Sequence, residues 1–178
     1  MSIKNRLILQ REIVYEKFSK KSENIKLPFQ LDKSQQILIC LPEQQNNFSK
    51  KELAQDYQSL FKGLSTQFCA PSDLASEIPN SVNCLYYERD SFPVLKKLPE
   101  LLKKVITAKS YQIALDLNVD FSLYAALICK MTNAPMRISF NKPNAGLFFN
   151  FLVSIKNKDI SYQKSLPILK KQLRSMLG

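Results

Sequence analysis

The sequence contains no histidine. That absence removes imidazole acid–base chemistry, Ser-His-Asp and Cys-His nucleophile activation, and zinc sites built on histidine. Glycine is scarce, and none stands in the polar loop Pro42-Glu43-Gln44-Gln45-Asn46-Asn47-Phe48-Ser49. The backbone there cannot approach phosphate as a glycine-rich fingerprint does, so no nucleotide cradle is expected in it. Cysteines are few and far apart. Cys40, Cys69, Cys84 and Cys129 form no Cys-x-x-Cys motif, and their apolar neighbours mark them as small buried hydrophobes. Long apolar runs are missing too: residues 37–41 and 146–153 fall well short of the about 20 residues that cross a bilayer. The start of the chain has no apolar h-region and no small-residue cleavage site, so a cytoplasmic location is expected.

What is present is ordinary globular material. Hydrophobic residues make up 45% and charged residues 23% of the 178, which suits one folded domain rather than a disordered chain. A chain of this length buries roughly 70% of its unfolded surface. The net charge of +11 is unevenly spread. Residues 1–33 carry 8 basic and 4 acidic groups, residues 34–155 carry 12 and 10, and residues 156–178 carry 6 and 1. The excess therefore belongs to the two ends. It suits an anionic partner met there, such as a membrane surface, a lipid phosphate or nucleic acid, or else a surface tuned for solubility.

Periodicity along the chain alternates between strand and helix. Residues 3–20 place Ile3, Leu7, Val14 and Phe18 on one helical stripe beside Lys4, Arg11 and Lys17, a basic amphipathic helix. Residues 37–41 form an apolar strand of the kind buried on both faces of a parallel sheet. Ser49 with Glu52 three residues on has capping-box spacing and opens a helix whose apolar face is Leu53, Tyr57, Leu60, Phe61 and Leu64. Strands are predicted at 66–69, 83–87, 111–117, 136–140 and 149–155, with a helical turn at 72–77. Helices are predicted over 94–108, where the apolar face includes Leu95, Leu98, Leu101, Leu102, Val105 and Ile106, and over 121–131. Asp120 stands at the N-cap position of the latter and Asn133 near its C-terminal cap. A basic helix perturbed by Pro167 follows residue 161. The alternation implies βαβ units, and so a single Rossmann-like doubly wound α/β domain over 34–155 with a mostly parallel sheet of about six strands. The segments 1–33 and 156–178 are read as basic flanks.

In such a sheet, ligands bind beyond the carboxyl ends of the strands where strand order reverses. That rule selects the loop after the first strand and the loop Asp116-Leu117-Asn118-Val119-Asp120-Phe121-Ser122. In the first, Gln44 is a candidate contact and Ser49 could meet an anion at a helix N-terminus or simply cap it. Glu43 could act there as a base, although a carboxylate in a polar loop after a strand is usually just solvated. In the second, Asp116, Asn118 and Asp120 could orient sugar hydroxyls or hold a hard cation, or else, with Ser122, be consumed by capping and loop bonds. Arg137 and Lys142 bracket the fifth strand and could face the same crevice as anion partners. The aromatic group Phe140, Phe148, Phe149 and Phe151 reads as core rather than as a base-stacking platform.

The run Tyr111-Gln112-Ile113-Ala114-Leu115-Asp116-Leu117-Asn118, the helix after it, Asn133-Ala134-Pro135-Met136-Arg137-Ile138-Ser139-Phe140, and the segment 141–150 together resemble the later part of the N-terminal domain of lipopolysaccharide heptosyltransferases. The resemblance spans roughly residues 36–155. It implies one half of a double-Rossmann glycosyltransferase: an N-terminal half that receives a lipid-linked sugar acceptor, facing a C-terminal half that binds the nucleotide-sugar donor. The family carries a Gly-Asp pair after its first strand, with the Asp as candidate base; here Gln44, Gln45, Asn46 and Asn47 stand in that loop. The expectation is a binding or accessory module, peripheral at the inner membrane face, with no catalytic residue, cofactor or metal of its own. The alternatives are the acceptor subunit of a split heptosyltransferase whose donor half comes from a partner chain, and a nucleic-acid-binding protein using the basic ends.

Overall fold

A computed structural model describes residues 10, 11, 32, 34–44, 49–89, 100–155 and 162–177. The strands are β1 (Gln36–Cys40), β2 (Ser65–Pro71), β3 (Cys84–Tyr87), β4 (Tyr111–Asp116), β5 (Met136–Phe140) and β6 (Phe151–Val153). The helices are α1 (Lys50–Leu60), α2 (Glu100–Thr107), α3 (Leu123–Met131) and α4 (Tyr162–Leu177), with short 3-10 turns at Ser72–Glu77 and Ala145–Leu147. Apart from residues 10 and 11, which are helical, the predicted N-terminal helix lies outside the described residues, as do residues 94–99 of the 94–108 helix.

All six strands run parallel in the order β3-β2-β1-β4-β5-β6. The chain is a single Rossmann-like α/β domain. Strand order reverses between β1 and β4, both buried on both faces: Ile37, Leu38 and Ile39 of β1 are inaccessible, and every residue of β4 is buried. Continuous apolar runs are what a central parallel strand requires, because helices cover both of its faces. The predicted strands all form, and β6 is shorter than the predicted 149–155 because Phe148 and Phe149 belong to the preceding turn and loop.

One face of the sheet packs on α1 and α4, through Leu53, Ala54, Tyr57 and Phe61 with Leu166, Leu169 and Leu173. The other packs on α2 and α3, through Leu102 and Ile106 with Ala125, Ala126, Ile128 and Cys129. Phe140, Phe148 and Phe149 are buried and Phe151 is half-buried, as a core role requires. Leu101, predicted on the apolar face of its helix, is instead 76% exposed. It follows Glu100 at the helix start and lies about 100° around the axis from Leu102, which takes the core position.

The C-terminal basic segment is part of the fold. α4 contributes Tyr162, Leu166, Leu169 and Leu173 to the core and carries Lys164, Lys171 and Arg174 on its exposed side. Pro167 sits in the second turn on the exposed side. An interior proline costs about 3 kcal/mol in helix propensity, and burial of three leucines on the opposite face offsets it.

Candidate functional site

The carboxyl ends of β1 and β4 are in register. Cys40 pairs with Asp116, and Leu117 donates its N–H to the Cys40 carbonyl at 3.0 Å. The two loops selected from the sequence therefore leave the sheet side by side. Glu43 N–H donates to Asn118 Oδ1 at 2.7 Å, and Gln44 Nε2 to Asp120 Oδ2 at 2.7 Å.

Beneath the second loop lies a buried ion pair. Lys142 Nζ lies 2.7 Å from Asp116 Oδ2, with side chains 4% and 0% exposed. Asp116 also accepts from Asn118 N and Nδ2 at 2.9 and 2.7 Å and from Ser139 Oγ at 3.2 Å. Lys142 also donates to the carbonyls of Asn118 and Asp120 at 2.5 and 3.1 Å. A buried pair holds only when its remaining donors and acceptors are satisfied, and this one meets that condition. Asp116, Asn118 and Lys142 are thus internal struts that fix the shape of the second loop. Of the three polar residues offered there for a ligand, only Asp120 is exposed.

Asp120 does not cap the following helix. That cap is Ser122, whose Oγ accepts from Ala125 N at 3.0 Å, and the helix ends on Asn133 in the left-handed region at φ 52°. Ser122 has a second task, since its hydroxyl donates to Glu43 Oε1. The same oxygen accepts from Tyr87 OH at 2.8 Å. Glu43 is therefore not the solvated carboxylate its loop position suggested. Burial pushes its carboxyl above the ordinary range, partly countered by hydrogen bonds from Ser122 and Tyr87 and the nearby Arg89, while Asp116 adds to the rise.

Arg89, just beyond β3, donates from Nη2 to the Glu43 carbonyl at 2.6 Å and lies 3.3 Å from Asp73. Tyr124 of α3 stacks on Tyr87 with centroids 5.6 Å apart and donates its hydroxyl to the Arg89 carbonyl. Lys50 is buried at the start of α1 with Nζ 2.6 Å from the Gln44 carbonyl, and that burial lowers its pKa.

Two expected contacts lie elsewhere. Arg137 sits in the first half of β5, where Nε and Nη1 donate to the Phe148 and Ala134 carbonyls at 2.9 and 3.1 Å. Its role is to tie the loop before β6 to the amino end of β5, away from the crevice mouth. Ser49 caps α1 by accepting from Glu52 N at 3.2 Å, and it rims a groove of about 190 Å³ between α1 and α4. Glu43 had a usable signal in the sequence, its place directly after a buried strand at the switch point. Tyr87 and Arg89 had none, because edge strand β3 reaches Glu43 only across the end of β2.

The described residues hold no group of three or more Cys, Asp or Glu side chains able to bind a metal ion. No described helix is long and apolar enough to cross a membrane. The fold defines an α/β protein in which polar residues of two loops meet at the topological switch point. No protein-family model, curated protein or solved structure matches the chain.

The raised carboxyl of Glu43 gives a pH-dependent prediction. The folded protein holds this proton more tightly than the unfolded chain, so burial of Glu43 costs little stability at low pH. The cost grows as pH climbs from the ordinary glutamate value of 4.5 through the higher folded value. Glu43→Gln keeps an acceptor for Ser122 and Tyr87 without that cost. Its stability relative to the native protein is expected to rise between pH 4 and pH 7, measured by urea unfolding. A difference independent of pH would show that Glu43 is not desolvated.

Proposed function

We propose that this domain is a heptosyltransferase-type acceptor-binding module that receives a sugar at the mouth between the β1 and β4 loops. The observation that carries the reading is the arrangement at that mouth. Asp120 and Gln44 stand exposed above Glu43, Ser122 and Tyr87, on a second loop fixed by the Asp116–Lys142 pair. An exposed carboxylate and an exposed amide side by side, on a second loop held by a buried ion pair, suit a polyhydroxylated ligand, because hydrogen-bonding groups held in advance cost little entropy on binding. The test is titration of the ¹⁵N-labelled protein with a heptose-containing oligosaccharide fragment of lipopolysaccharide. Saturable shifts at Gln44, Asn118 and Asp120 are expected, and unmoved signals there would end the reading.

Association with an anionic membrane face rests on the exposed lysines and arginine of α4. The apolar side of that helix is spent in the core, so contact with lipid is electrostatic rather than insertional. Co-sedimentation with phosphatidylserine vesicles is expected at low salt and should be lost near 0.5 M salt, where screening shortens the reach of charge to about 4 Å. Retention at high salt would contradict an electrostatic contact.

A second reading is favoured by Glu43 itself. A desolvated carboxylate at the end of β1 lies next to the loop in which the resembled family places its candidate base, so it could deprotonate an acceptor hydroxyl. This makes the domain the acceptor half of a transferase whose donor half is a partner chain. Sugar transfer in a reconstituted pair, lost on Glu43→Gln, would support it, and an inactive pair would count against it.

A further inference from the structure

Three elements meet on one carboxyl. Glu43 follows β1, Tyr87 ends β3 and Ser122 caps α3, and both hydroxyls donate to the same oxygen, Glu43 Oε1, that of Tyr87 at 2.8 Å. Each donor is itself held from behind. Tyr87 is buried and stacks on Tyr124, and Ser122 is buried with its Oγ accepting from Ala125 N–H. The main chain of Glu43 is pinned as well, its N–H donating to Asn118 Oδ1 at 2.7 Å and its carbonyl accepting from Arg89 Nη2 at 2.6 Å. None of these bonds involves the rest of the first loop. The second carboxyl oxygen stands apart: Oε2 accepts from none of the described residues and is not enclosed, Glu43 itself being half-buried. An ionised carboxylate offers about four lone-pair sites, and the two hydroxyls occupy those of Oε1.

We infer that Tyr87 and Ser122 are positioning residues that hold Glu43 by Oε1 and leave Oε2 as the atom that accepts a hydroxyl of the ligand. The inference rests on the acceptor-site reading above and deepens it by naming the accepting atom and the two groups that aim it. Without these donors the carboxyl would rotate about its last side-chain bond and present either oxygen. With both on one oxygen, that freedom is gone before a ligand arrives, and less entropy is lost on binding. The bond to a ligand hydroxyl is strongest when Glu43 is ionised, because hydrogen bonds to an ionised acceptor are roughly twice as strong as neutral ones. Burial opposes ionisation and Asp116 adds to that, while Ser122, Tyr87 and Arg89 favour it. Nearby, Lys50 donates to the Gln44 carbonyl, Asp120 accepts from the Gln44 amide, and Tyr162 of α4 holds Val119 N–H. Removal of the Tyr87 hydroxyl therefore both loosens the carboxyl and moves its ionisation to higher pH.

The test uses the full chain with ¹³C-labelled glutamate carboxyls and ¹⁵N-labelled amides at 0.15 M salt. The Glu43 carboxyl signal, assigned by its loss in Glu43→Gln, follows ionisation, and the amide signals of Gln44 and Asn118 report methyl mannoside binding from pH 4 to pH 8. Mannoside affinity is expected to rise about tenfold as Glu43 ionises. Glu43→Gln should remove that rise, leaving only what Asp120 contributes. In Tyr87→Phe, which keeps the ring beside Tyr124, the carboxyl titration and the affinity curve are expected to move together to higher pH. Ser122→Gly removes the other donor at small cost to the helix cap, and should move both curves the same way. If Tyr87 and Ser122 only fill space, their variants change the unfolding midpoint and leave both curves in place, which overturns the inference. Mannoside binding that ignores pH also overturns it while leaving the mouth a sugar site. Silence from the mannoside and from the heptose oligosaccharide overturns the acceptor-site reading and the inference with it.

Discussion

Lys142→Met should destabilise the domain by about 3–5 kcal/mol, the usual cost of leaving one member of a buried ion pair without its partner. The expectation rests on enclosure and on the number of bonds lost. Asp116 is inaccessible, and removal of the ammonium leaves its charge unpaired, with only the Ser139 hydroxyl on Oδ2, while releasing the Asn118 and Asp120 carbonyls. Asp116→Asn in the Lys142→Met background removes the unpaired charge, keeps an Oδ1 acceptor for Asn118 and turns an amide donor toward the Ser139 hydroxyl. The double variant should therefore recover at least about 1 kcal/mol over the single one, a coupling typical of residues in direct contact. Urea unfolding of the native protein, both single variants and the double variant measures it. If Lys142→Met unfolds within about 1 kcal/mol of the native protein, the pair is not the closed strut seen beneath the second loop.

Leu169→Ala should cost about 2–5 kcal/mol, the range for emptying a leucine site in a packed core. Leu169 is inaccessible and belongs to the cluster that holds Tyr57, Phe61, Met136 and Ile138. The size of the loss distinguishes a C-terminal helix that completes the domain from a basic tail that merely adjoins it. A tail would register within about 0.5 kcal/mol, as surface substitutions do. Exchange of Ile168 for alanine one residue earlier provides the contrast, because that side chain is 37% exposed. The same unfolding experiment reads both, and equal small losses would detach α4 from the core.

The fold was legible wherever burial alone dictates sequence. Residues 37–41 and 113–115 are apolar on both faces because both faces are covered, and that pattern survives without knowledge of any neighbour. Helix starts were legible where a side chain caps its own backbone, as at Ser49. Asp120 misled because Asp and Ser are about equally good caps. Only the position of the Ala125 amide relative to Ser122 decided between them. α4 was read as a basic flank because a charged stripe is visible in sequence, whereas the place where its leucines land is not.

For the site, the sequence by itself determined the location: two polar loops at the carboxyl ends of two buried strands, which the parallel register sets side by side. The tertiary structure alone decided what each residue does there. Asp116 and Lys142 are 26 positions apart, Glu43 and Ser122 are 79, and Tyr87 reaches Glu43 from an edge strand. Whether a carboxylate is spent on a cation, desolvated beside hydroxyls or left to solvent depends on contacts between distant segments, because both dielectric and hydrogen-bond partners are supplied from outside its own stretch of chain. Asp116, Glu43 and Asp120 look alike as carboxylates after strands, and they end respectively as a buried strut, a desolvated acid and an exposed acceptor.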